Sequence, residues 1–364
     1  MISTNFPFIA YVLFFAAALG FSLILNGILL KFVKTLGIRN QTDTIIRWNI
    51  HSKPAMGGIS FYVIFLLSII FYTIFWGSES LIKNKQMLGI IISCTIGFLM
   101  GLADDAYNTK PLLKFFAQIS CAIVLIYTGT SISFFENQWL DYLLTIFWVV
   151  GIMNSINMLD NMDAITTCAS IVIVLGVITV MYISGNIHNV LFVLSIGTLA
   201  ALLGFLFFNW HPSKMFMGDT GSQFMGAFLS AAGIIVFWNL PYSVNLQKTP
   251  SQQIIIILLA FIVPIVDTTS VVINRLRKGQ SPFVGGKDHT THHLFYYGLS
   301  EKKIALLLSV ISMVSVIFTI LIMRNLNEWT WLYLGGFAFF FLLVFSLLYR
   351  TTRIKRAGGS DGKD

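Results

Sequence analysis

Apolar runs of about 20 residues recur along the whole chain, and they constrain its fold more than any other feature of the sequence. A helix needs about that length to cross the hydrocarbon core of a bilayer. Only 10% of the 364 residues are charged and 56% are hydrophobic, whereas a soluble domain carries about 25% charge. The sequence therefore predicts an all-α polytopic integral membrane protein.

Eleven apolar runs are candidates for transmembrane helices. No loop between them is long enough to fold alone, so we predict a single transmembrane domain over residues 1–349. Residues 350–364 are predicted to be a basic, disordered cytoplasmic tail. The predicted spans are 7–30, 57–76, 87–103, 113–130, 140–158, 164–184, 189–208, 221–239, 252–272, 304–323 and 330–349.

The distribution of lysine and arginine predicts the orientation. If the N-terminus lies outside, 19 of the 23 basic residues fall on the cytoplasmic side. Cytoplasmic loops carry an excess of such residues, so we predict an outer N-terminus and a cytoplasmic C-terminus. The net charge of +8 is then a cytoplasmic basic face. It predicts no nucleic-acid partner, although it could attract an anionic ligand.

Four polar stretches interrupt the apolar pattern. Each is separated from the next by two predicted spans, so all four are predicted to lie on one face of the membrane, the cytoplasmic one. They read LADDAYNTK (102–110), NSINMLDNMDAITT (154–167), NWHPSKMFMGDTGS (209–222) and GGKDHTTHHL (285–294).

The first stretch contains two adjacent acids, Asp104 and Asp105, at the end of a span. They are either solvated helix caps or ligands of a cation, because neighbouring like charges near a low-dielectric region need compensation. Mg²⁺ takes one or two carboxylates together with phosphate oxygens.

The second stretch carries a polar residue at every third position. If the helix of the span continues, Asn154, Asn157, Asp160 and Asp163 form a stripe along one face. Hydrogen bonds between helices would explain the two asparagines, but they explain the two acids poorly.

The third stretch places Asp219 between Gly218 and Gly221. Glycines allow a ligand to approach the backbone, and Asp219 is equally suited to be the N-cap of the next helix. Phe216 is either interfacial packing or a platform for a base ring.

The fourth stretch holds three of the six histidines, His289, His292 and His293. Since no cysteine accompanies them, basic surroundings favour contact with phosphate over a zinc site.

One further acid, Asp267, lies inside a predicted span. An acid in a span is a functional candidate. Here we favour a structural pairing with Arg275 or Arg277, because Asp267 is near the inner end of the span. Pro264 predicts a kink in the same helix.

Acids for a divalent cation, an aromatic ring and a basic loop at membrane depth suit a reaction between a soluble anion and a lipid-borne one. Phosphoryl transfer is the natural class, because it depends on positioning and charge neutralisation. Two alternatives stay open, a membrane transporter and an isoprenoid prenyltransferase.

The four stretches in this order, with KPAMGG at 53–58, resemble the polyprenyl-phosphate N-acetylhexosamine-1-phosphate transferases, a superfamily that includes the phospho-MurNAc-pentapeptide translocase. The resemblance covers nearly the whole chain. It implies a catalytic domain in the bacterial cytoplasmic (inner) membrane whose active site faces the cytoplasm. The implied substrates are UDP-N-acetylhexosamine and polyprenyl (undecaprenyl) phosphate, and the products are polyprenyl diphosphate-sugar and UMP. Mg²⁺ is the implied cofactor, with Mn²⁺ as an alternative, and membrane lipids and a second copy of the chain are candidate partners.

The resemblance also implies roles for individual residues at the matching positions. The catalytic candidates are Asp104, Asp105, His289, His292 and His293; the metal ligands are Asp219 and Asp104; the substrate-binding candidates are Asn157, Asp160, Asp163, Phe216 and Lys53, to which the basic residues Lys114 and Arg277 are added from their place on the predicted cytoplasmic side. Among these, Phe216 resembles the aromatic residue that stacks on uracil.

Two positions depart from the pattern of that family. Asn161 and Ala164 stand where a glycine usually follows each acid of the second motif. Their Cβ atoms would intrude where the backbone should approach the ligand, so the sugar or its fit is expected to differ.

Overall fold

The computed structural model describes residues 6–36, 53–76, 84–239, 249–281, 286–325 and 329–353. These residues are mainly helical, and their one β-type contact is an isolated parallel bridge between Ala55 and Phe216. In chain order the helices are α1 (Phe6–Leu36), α2 (Gly57–Trp76), α3 (Lys85–Tyr107), α4 (Pro111–Tyr127), α5 (Gln138–Leu159), α6 (Ile165–Ile183), α7 (Val190–Asn209), α8 (Gly218–Ala232, followed by a π-helical segment, Gly233–Asn239), α9 (Pro250–Ala260), α10 (Ile262–Arg277), α11 (Thr290–Tyr296), α12 (Glu301–Arg324) and α13 (Trp331–Thr351).

Each of the eleven predicted spans coincides with helix. Within the described ranges, nine helices are long and apolar enough to cross a membrane, and the bent pair of α9 and α10 makes a tenth candidate. The remaining predicted span is α4, an apolar helix of 17 residues. The predicted class, an all-α polytopic membrane protein, is confirmed.

The predicted span 252–272 is a bent pair of helices, because α9 and α10 meet at an angle of 86°. The break falls at Phe261, three residues before Pro264. Proline has no N–H, so Pro264 cannot donate to the carbonyl of Ala260 as a continuous helix would require. The kink expected near Pro264 is thus present as a full break.

Helix α8 forms the centre of the bundle. Every residue from Thr220 to Ala232 is buried, and α8 packs most extensively against α3 and α5. Glycine permits the close approach of α3: a Cβ on Gly101 would lie 2.2 Å from the carbonyl oxygen of Asp219. A Cβ on Gly58 would similarly lie 2.2 Å from the backbone nitrogen of Gly221. The start of α8 is therefore enclosed by α2 and α3.

The last helix extends slightly past its predicted end. Helix α13 ends at Thr351, so its last residues overlap the predicted tail, and residues 354–364 of that tail lie outside the described residues. The outer N-terminus and the single domain over 1–349 stay predictions.

Candidate active site

The four polar stretches meet at one end of the helix bundle. Hydrogen bonds join Asp105 to Thr220, Asn157 to Ser222, and Asn161 to Thr291. These contacts link the end of α3, the end of α5, the start of α8 and helix α11. The predicted convergence of the four stretches at one end of the helices is confirmed, and their cytoplasmic location stays a prediction.

Asp105 caps the N-terminus of α8. The backbone N–H groups of Asp219 and Thr220 donate to its two carboxylate oxygens at 3.0 Å and 2.9 Å, and the Thr220 hydroxyl donates at 2.6 Å. A carboxylate is favoured at this position by the helix dipole. The predicted N-cap role of Asp219 is wrong, because Asp219 lies in the first turn and the capping carboxylate comes from α3. A Cβ on Gly218, at a φ of +74°, would lie 2.6 Å from Asp105 Oδ2.

Asp104 points away from its neighbour and toward α4, since adjacent helical residues project about 100° apart. It accepts hydrogen bonds from the backbone N–H of Thr109 at 2.8 Å and from its hydroxyl at 2.6 Å. Its other oxygen forms a salt bridge with Lys114, and the same ammonium lies 3.3 Å from Asp219 Oδ2. Lys114 thus joins two carboxylates from different helices.

Helix α5 ends at Leu159, so the predicted continuous polar stripe is wrong. Asn154 pairs with Gln118 of α4, as expected for an asparagine that links two helices. The Asn157 side chain donates to Asp219 and, at 2.8 Å, to the Ser222 hydroxyl. Asn157 therefore fixes one oxygen of Asp219 while Lys114 contacts the other.

Asp160 is the C-cap of α5 and is partly exposed. Desolvation by the surrounding loops, and then the negative charges of Asp219, Asp105 and Asp163, raise its pKa to about 8. The carboxylates around the start of α8 thus carry more negative charge than Lys114 alone neutralises. Such a set of hard oxygen ligands can hold a divalent cation.

Asp163 lies in very different surroundings, four residues after the end of α5. Its oxygens accept hydrogen bonds from the Ser213 hydroxyl at 2.7 Å and the Ser213 N–H at 2.9 Å. Lys53 Nζ lies 3.4 Å away and His211 Nδ1 lies 3.0 Å away. Burial alone would raise the pKa of Asp163, but these hydrogen bonds and the Lys53 charge bring it below its usual value.

Phe216 is held beside Lys53 by backbone pairing of two distant segments. The Phe216 N–H donates to the Pro54 carbonyl at 2.9 Å, and the Gly57 N–H donates to the Phe216 carbonyl at 3.1 Å. Lys53 Nζ lies 5.0 Å from the centre of the Phe216 ring. The ring is partly exposed, so this corner presents an aromatic face, a cation and the carboxylate of Asp163 together.

The predicted pairing of Asp267 with Arg275 or Arg277 is wrong. Asp267 is buried and accepts hydrogen bonds from His289 Nδ1 at 2.8 Å and from the Thr290 N–H at 2.9 Å. Arg275 instead forms a bidentate pair with Asp288, at 2.8 Å and 2.7 Å. Two contacts from α10 therefore fix the start of α11.

The other two predicted histidines lie on α11. His292 is buried; desolvation and then the charge of His289 lower its pKa to about 3, so it is neutral near pH 7. His293 packs against the Tyr296 ring, and burial lowers its pKa as well. The Thr291 hydroxyl donates to Asn161 Oδ1 at 2.8 Å, which connects this helix to the acids after α5.

Arg277 lies apart from the carboxylates. It is exposed, and its guanidinium donates to the hydroxyl of Tyr349 on α13. Its predicted role in substrate binding stays a prediction.

The two departures from glycine are accommodated differently. The side chain of Asn161 contacts Thr291 and the Met158 carbonyl. Ala164 adopts a left-handed φ of +65°, which costs a residue with a Cβ about 1–2 kcal/mol. Its N–H donates to Asn209 Oδ1 at 3.1 Å. The Ala164 backbone conformation is thus one that a glycine would adopt without strain.

Sequence reasoning missed two residues that contact the predicted site, His211 and Glu301. The Nδ1 atom of His211 lies 3.1 Å from Glu301 Oε2. His211 lies in the third polar stretch, and Glu301 follows Ser300 at the start of α12, where an acid usually only complements the helix dipole. The signal that could have identified Glu301 was its rarity, because the chain contains 15 acids.

Residues 87–237 match glycosyl transferase family 4. The chain is 32% identical to a probable undecaprenyl-phosphate N-acetylglucosaminyl 1-phosphate transferase from Bacillus subtilis, over 89% of this chain and 88% of the relative. It is 26% identical to the decaprenyl-phosphate N-acetylglucosaminephosphotransferase of Mycobacterium leprae, over 78% of this chain and 76% of the relative. It is 27% identical to the phospho-N-acetylmuramoyl-pentapeptide-transferase of Carboxydothermus hydrogenoformans, over 73% and 83% respectively.

Proposed function

Because the chain belongs to the polyprenyl-phosphate N-acetylhexosamine-1-phosphate transferases, within glycosyl transferase family 4, we propose that it transfers N-acetylhexosamine 1-phosphate from a UDP-sugar to polyprenyl phosphate. The products are a polyprenyl diphosphate-sugar and UMP, and the step begins the membrane stage of cell-envelope glycan assembly. The observation that carries this proposal is the convergence of Asp104, Asn157 and Asp219 from three helices, with Lys114 contacting both carboxylates.

We propose Mg²⁺ as the cofactor, with Mn²⁺ as an alternative that accepts the same oxygen ligands. Asp104 and Asp219 would hold the ion, and the excess of carboxylate over ammonium around them fits a divalent cation. When bound, the ion would neutralise charge on the diphosphate oxygens. Asn157 donates to Asp219 and so keeps that carboxylate in place. Lys114 lies where its ammonium can also contact a phosphate oxygen.

The nucleotide is proposed to bind at Lys53, Asp163 and Phe216. The partly exposed Phe216 ring can stack on uracil, since aromatic rings pair favourably when offset or edge-on. Lys53 and Asp163 offer a donor and an acceptor beside that ring, which suits the edge of a pyrimidine. None of these three residues is a partner of Lys114 in its salt bridges with Asp104 and Asp219, so the two ends of a UDP-sugar would bind to separate groups.

The reaction proposed is a direct displacement at phosphorus. An oxygen of polyprenyl phosphate forms a bond to the sugar-bearing phosphorus of the UDP-sugar. The bond between that phosphorus and the bridging oxygen breaks, and UMP leaves with the electron pair. A phosphate monoester has its second pKa near 6, so the attacking group is largely a dianion at neutral pH and needs little help from a base. Because one diphosphate replaces another, the reaction is expected to be reversible.

The histidines of α11 are proposed to contact phosphate oxygens. His292 is neutral near pH 7, because its pKa is lowered to about 3. It would therefore act as a hydrogen-bond donor rather than as a cation. His289 is oriented by Asp267, which accepts its Nδ1–H, so its Nε2 is the atom left for substrate.

The protein is a multi-pass membrane protein. We propose that it lies in the bacterial cytoplasmic membrane with this site facing the cytoplasm, where UDP-sugars are made. A transporter would carry its charged groups at mid-membrane; here the acids of the four polar stretches gather at one end of the bundle.

The test is turnover by the purified chain in detergent with undecaprenyl phosphate, Mg²⁺ and a panel of UDP-N-acetylhexosamines. We expect UMP release with stoichiometric formation of lipid-linked sugar for at least one donor. Chelation should abolish it, and added Mg²⁺ or Mn²⁺ should restore it. Labelled UMP should exchange into UDP-sugar only when the lipid product is present.

Uptake of a UDP-sugar into sealed vesicles without UMP release would contradict the proposal in favour of a transporter. Consumption of a prenyl diphosphate in place of a UDP-sugar would contradict it in favour of a prenyltransferase. Full activity in the presence of a chelator would remove the metal from the scheme.

A further inference from the structure

His211 bridges two buried carboxylates through a single ring nitrogen. Its Nδ1 atom lies 3.0 Å from Asp163 Oδ2 and 3.1 Å from Glu301 Oε2. An ionised carboxylate has no proton to donate and can only accept hydrogen bonds. A nitrogen that contacts two such carboxylates therefore carries the proton of both contacts. Nδ1–H of His211 therefore donates to both, and the loop after α7 is joined to the first turn of α12.

The same Asp163 contacts the nucleotide corner through its other partners. Lys53 Nζ lies 3.4 Å from Asp163 and 2.9 Å from the Ser213 hydroxyl, and the same ammonium lies over the Phe216 ring. A continuous set of contacts thus runs from Glu301 through His211 and Asp163 to Lys53. Glu301 and Asp163 are both buried, so water screens these contacts little.

We infer that His211 and Glu301 are positioning residues for nucleotide recognition, which hold the Asp163 carboxylate in the orientation that keeps Lys53 beside the Phe216 ring. The inference rests on the proposed function, because that function assigns Lys53, Asp163 and Phe216 to the nucleotide. Neither His211 nor Glu301 needs to touch the substrate in this role.

The consequence of losing the bridge follows from charge. Without the Nδ1–H, Asp163 and Glu301 would be two neighbouring buried carboxylates whose oxygens lie within 4.8 Å of each other. Like charges that close disfavour the ionisation of both groups. One of them would take up a proton or rotate away. Either change weakens the hold on Lys53, so nucleotide binding should fall while the Asp104 and Asp219 side is unaffected.

A metal ion is the competing occupant of this position. The ligand atoms of Asp163, His211 and Glu301 lie within 4.8 Å of one another, which is close enough to hold one. The Lys53 ammonium, 3.4 Å from Asp163, already supplies a positive charge and disfavours a second cation beside it. The hydrogen-bonded bridge is therefore favoured, and the metal becomes an outcome of the test.

The experiment compares five variants of the full-length protein in detergent, with UMP as the binding probe. Lys53→Met removes the ammonium that lies between Asp163 and the Phe216 ring. His211→Leu removes the donor. His211→Asn restores it, because the Asn amide nitrogen occupies the place of Nδ1 and has two hydrogens for the two carboxylates. Glu301→Gln removes one charge, and Lys302→Gln is the matched control, an exposed residue in the same helical turn.

His211→Leu should weaken UMP binding and raise the KM for the UDP-sugar by about tenfold, as expected when an ordinary hydrogen bond is lost. The kcat and the KM for polyprenyl phosphate should stay within about threefold of wild type on the same scale. His211→Asn should recover most of the loss, Glu301→Gln should show the same KM effect more weakly, and Lys302→Gln should behave as wild type. Thermal midpoints identify any variant that fails to fold, and Glu301→Gln then carries the test.

The outcomes distinguish a failure of the positioning inference from a failure of the proposed function. If Lys53→Met weakens UMP binding while the His211 and Glu301 variants do not, the positioning inference is overturned and the proposed function stands. If Lys53→Met also binds UMP normally, the nucleotide assignment itself fails. If UMP binding by the wild type depends on added Zn²⁺ or Mn²⁺ and His211→Asn fails to restore it, the bridge is a metal site and the inference is overturned.

Discussion

Asp160 and Asp163 both follow α5, but their carboxylates have opposite surroundings. Asp163 is compensated within the protein, by Ser213, Lys53 and His211, and although burial opposes it, its pKa lies below the usual value. Asp160 is desolvated beside the charges of other acids, and its pKa is raised to about 8. Protein groups alone compensate the charge of Asp163, whereas the surroundings of Asp160 lack positive charge. The difference fits the proposed nucleotide binding on the Asp163 side and the proposed metal-assisted chemistry on the Asp219 side.

The largest effect is expected from removing the negative charge of Asp219. Asp219→Asn should lower kcat by about 10³-fold, because it deletes a group that acts on charge developing in the transition state. UMP binding should stay within about threefold of wild type, since the nucleotide corner is built from other residues. The measurement is steady-state turnover alongside UMP titration.

The matched control is Glu136→Gln, which neutralises an exposed acid outside the site and should leave both values unchanged. Substantial turnover by Asp219→Asn, with normal dependence on Mg²⁺, would show that this carboxylate is no metal ligand.

An intermediate effect, on KM rather than on kcat, is expected on the Asp163 side. Lys53→Met keeps the length of the side chain and removes the ammonium that lies between Asp163 and Phe216. Contacts of this charge-assisted type are worth about 1.5–3 kcal/mol, so the KM for the UDP-sugar should rise about 10- to 100-fold with little change in kcat. Lys85→Met, at an exposed lysine on the N-terminal end of α3, is the control. A fall in kcat at unchanged KM would erase the distinction between the two sides.

The smallest effect is a pair of stability changes with opposite dependence on pH, measured as thermal midpoints in a chelator. The folded pKa of Asp160 is raised to about 8, so its contribution to stability is full below the unfolded pKa and is lost as pH rises through about 8. Asparagine cannot ionise. Asp160→Asn should therefore unfold at a higher temperature than wild type above about pH 8, by about 2–4 °C for each kcal/mol gained.

Asp163→Asn should behave in the opposite way. The folded pKa of Asp163 is lowered, so its contribution is present above the unfolded pKa and is lost as pH falls through the folded value. The variant should be less stable than wild type near neutral pH, and the gap should close in acid. Parallel pH profiles for the two variants would mean that the two carboxylates share one environment.

Much of the site was predictable because its residues follow apolar runs at even intervals. The parity of the spans places Asp104, Asp160 and Asp219 on one face, and hydrogen bonds join their stretches there. Parity needs only the number of spans, so it tolerates errors of a few residues at each helix end. The same argument cannot say which way a carboxylate points, and the predicted roles of Asp219 as a cap and Asp267 as a partner of arginine were wrong for that reason.

The sequence by itself determined the class of the protein, the approximate course of its helices and the convergence of its polar stretches at one end of the bundle. Length and hydropathy decide these, because a bilayer leaves a long apolar run few alternatives to a helix. Only the tertiary structure decided that adjacent Asp104 and Asp105 have separate partners, that the span with Pro264 breaks, and that Glu301 reaches His211. Those outcomes depend on distances of a few ångströms between residues remote in the chain, and hydrophobic periodicity carries no information about such distances.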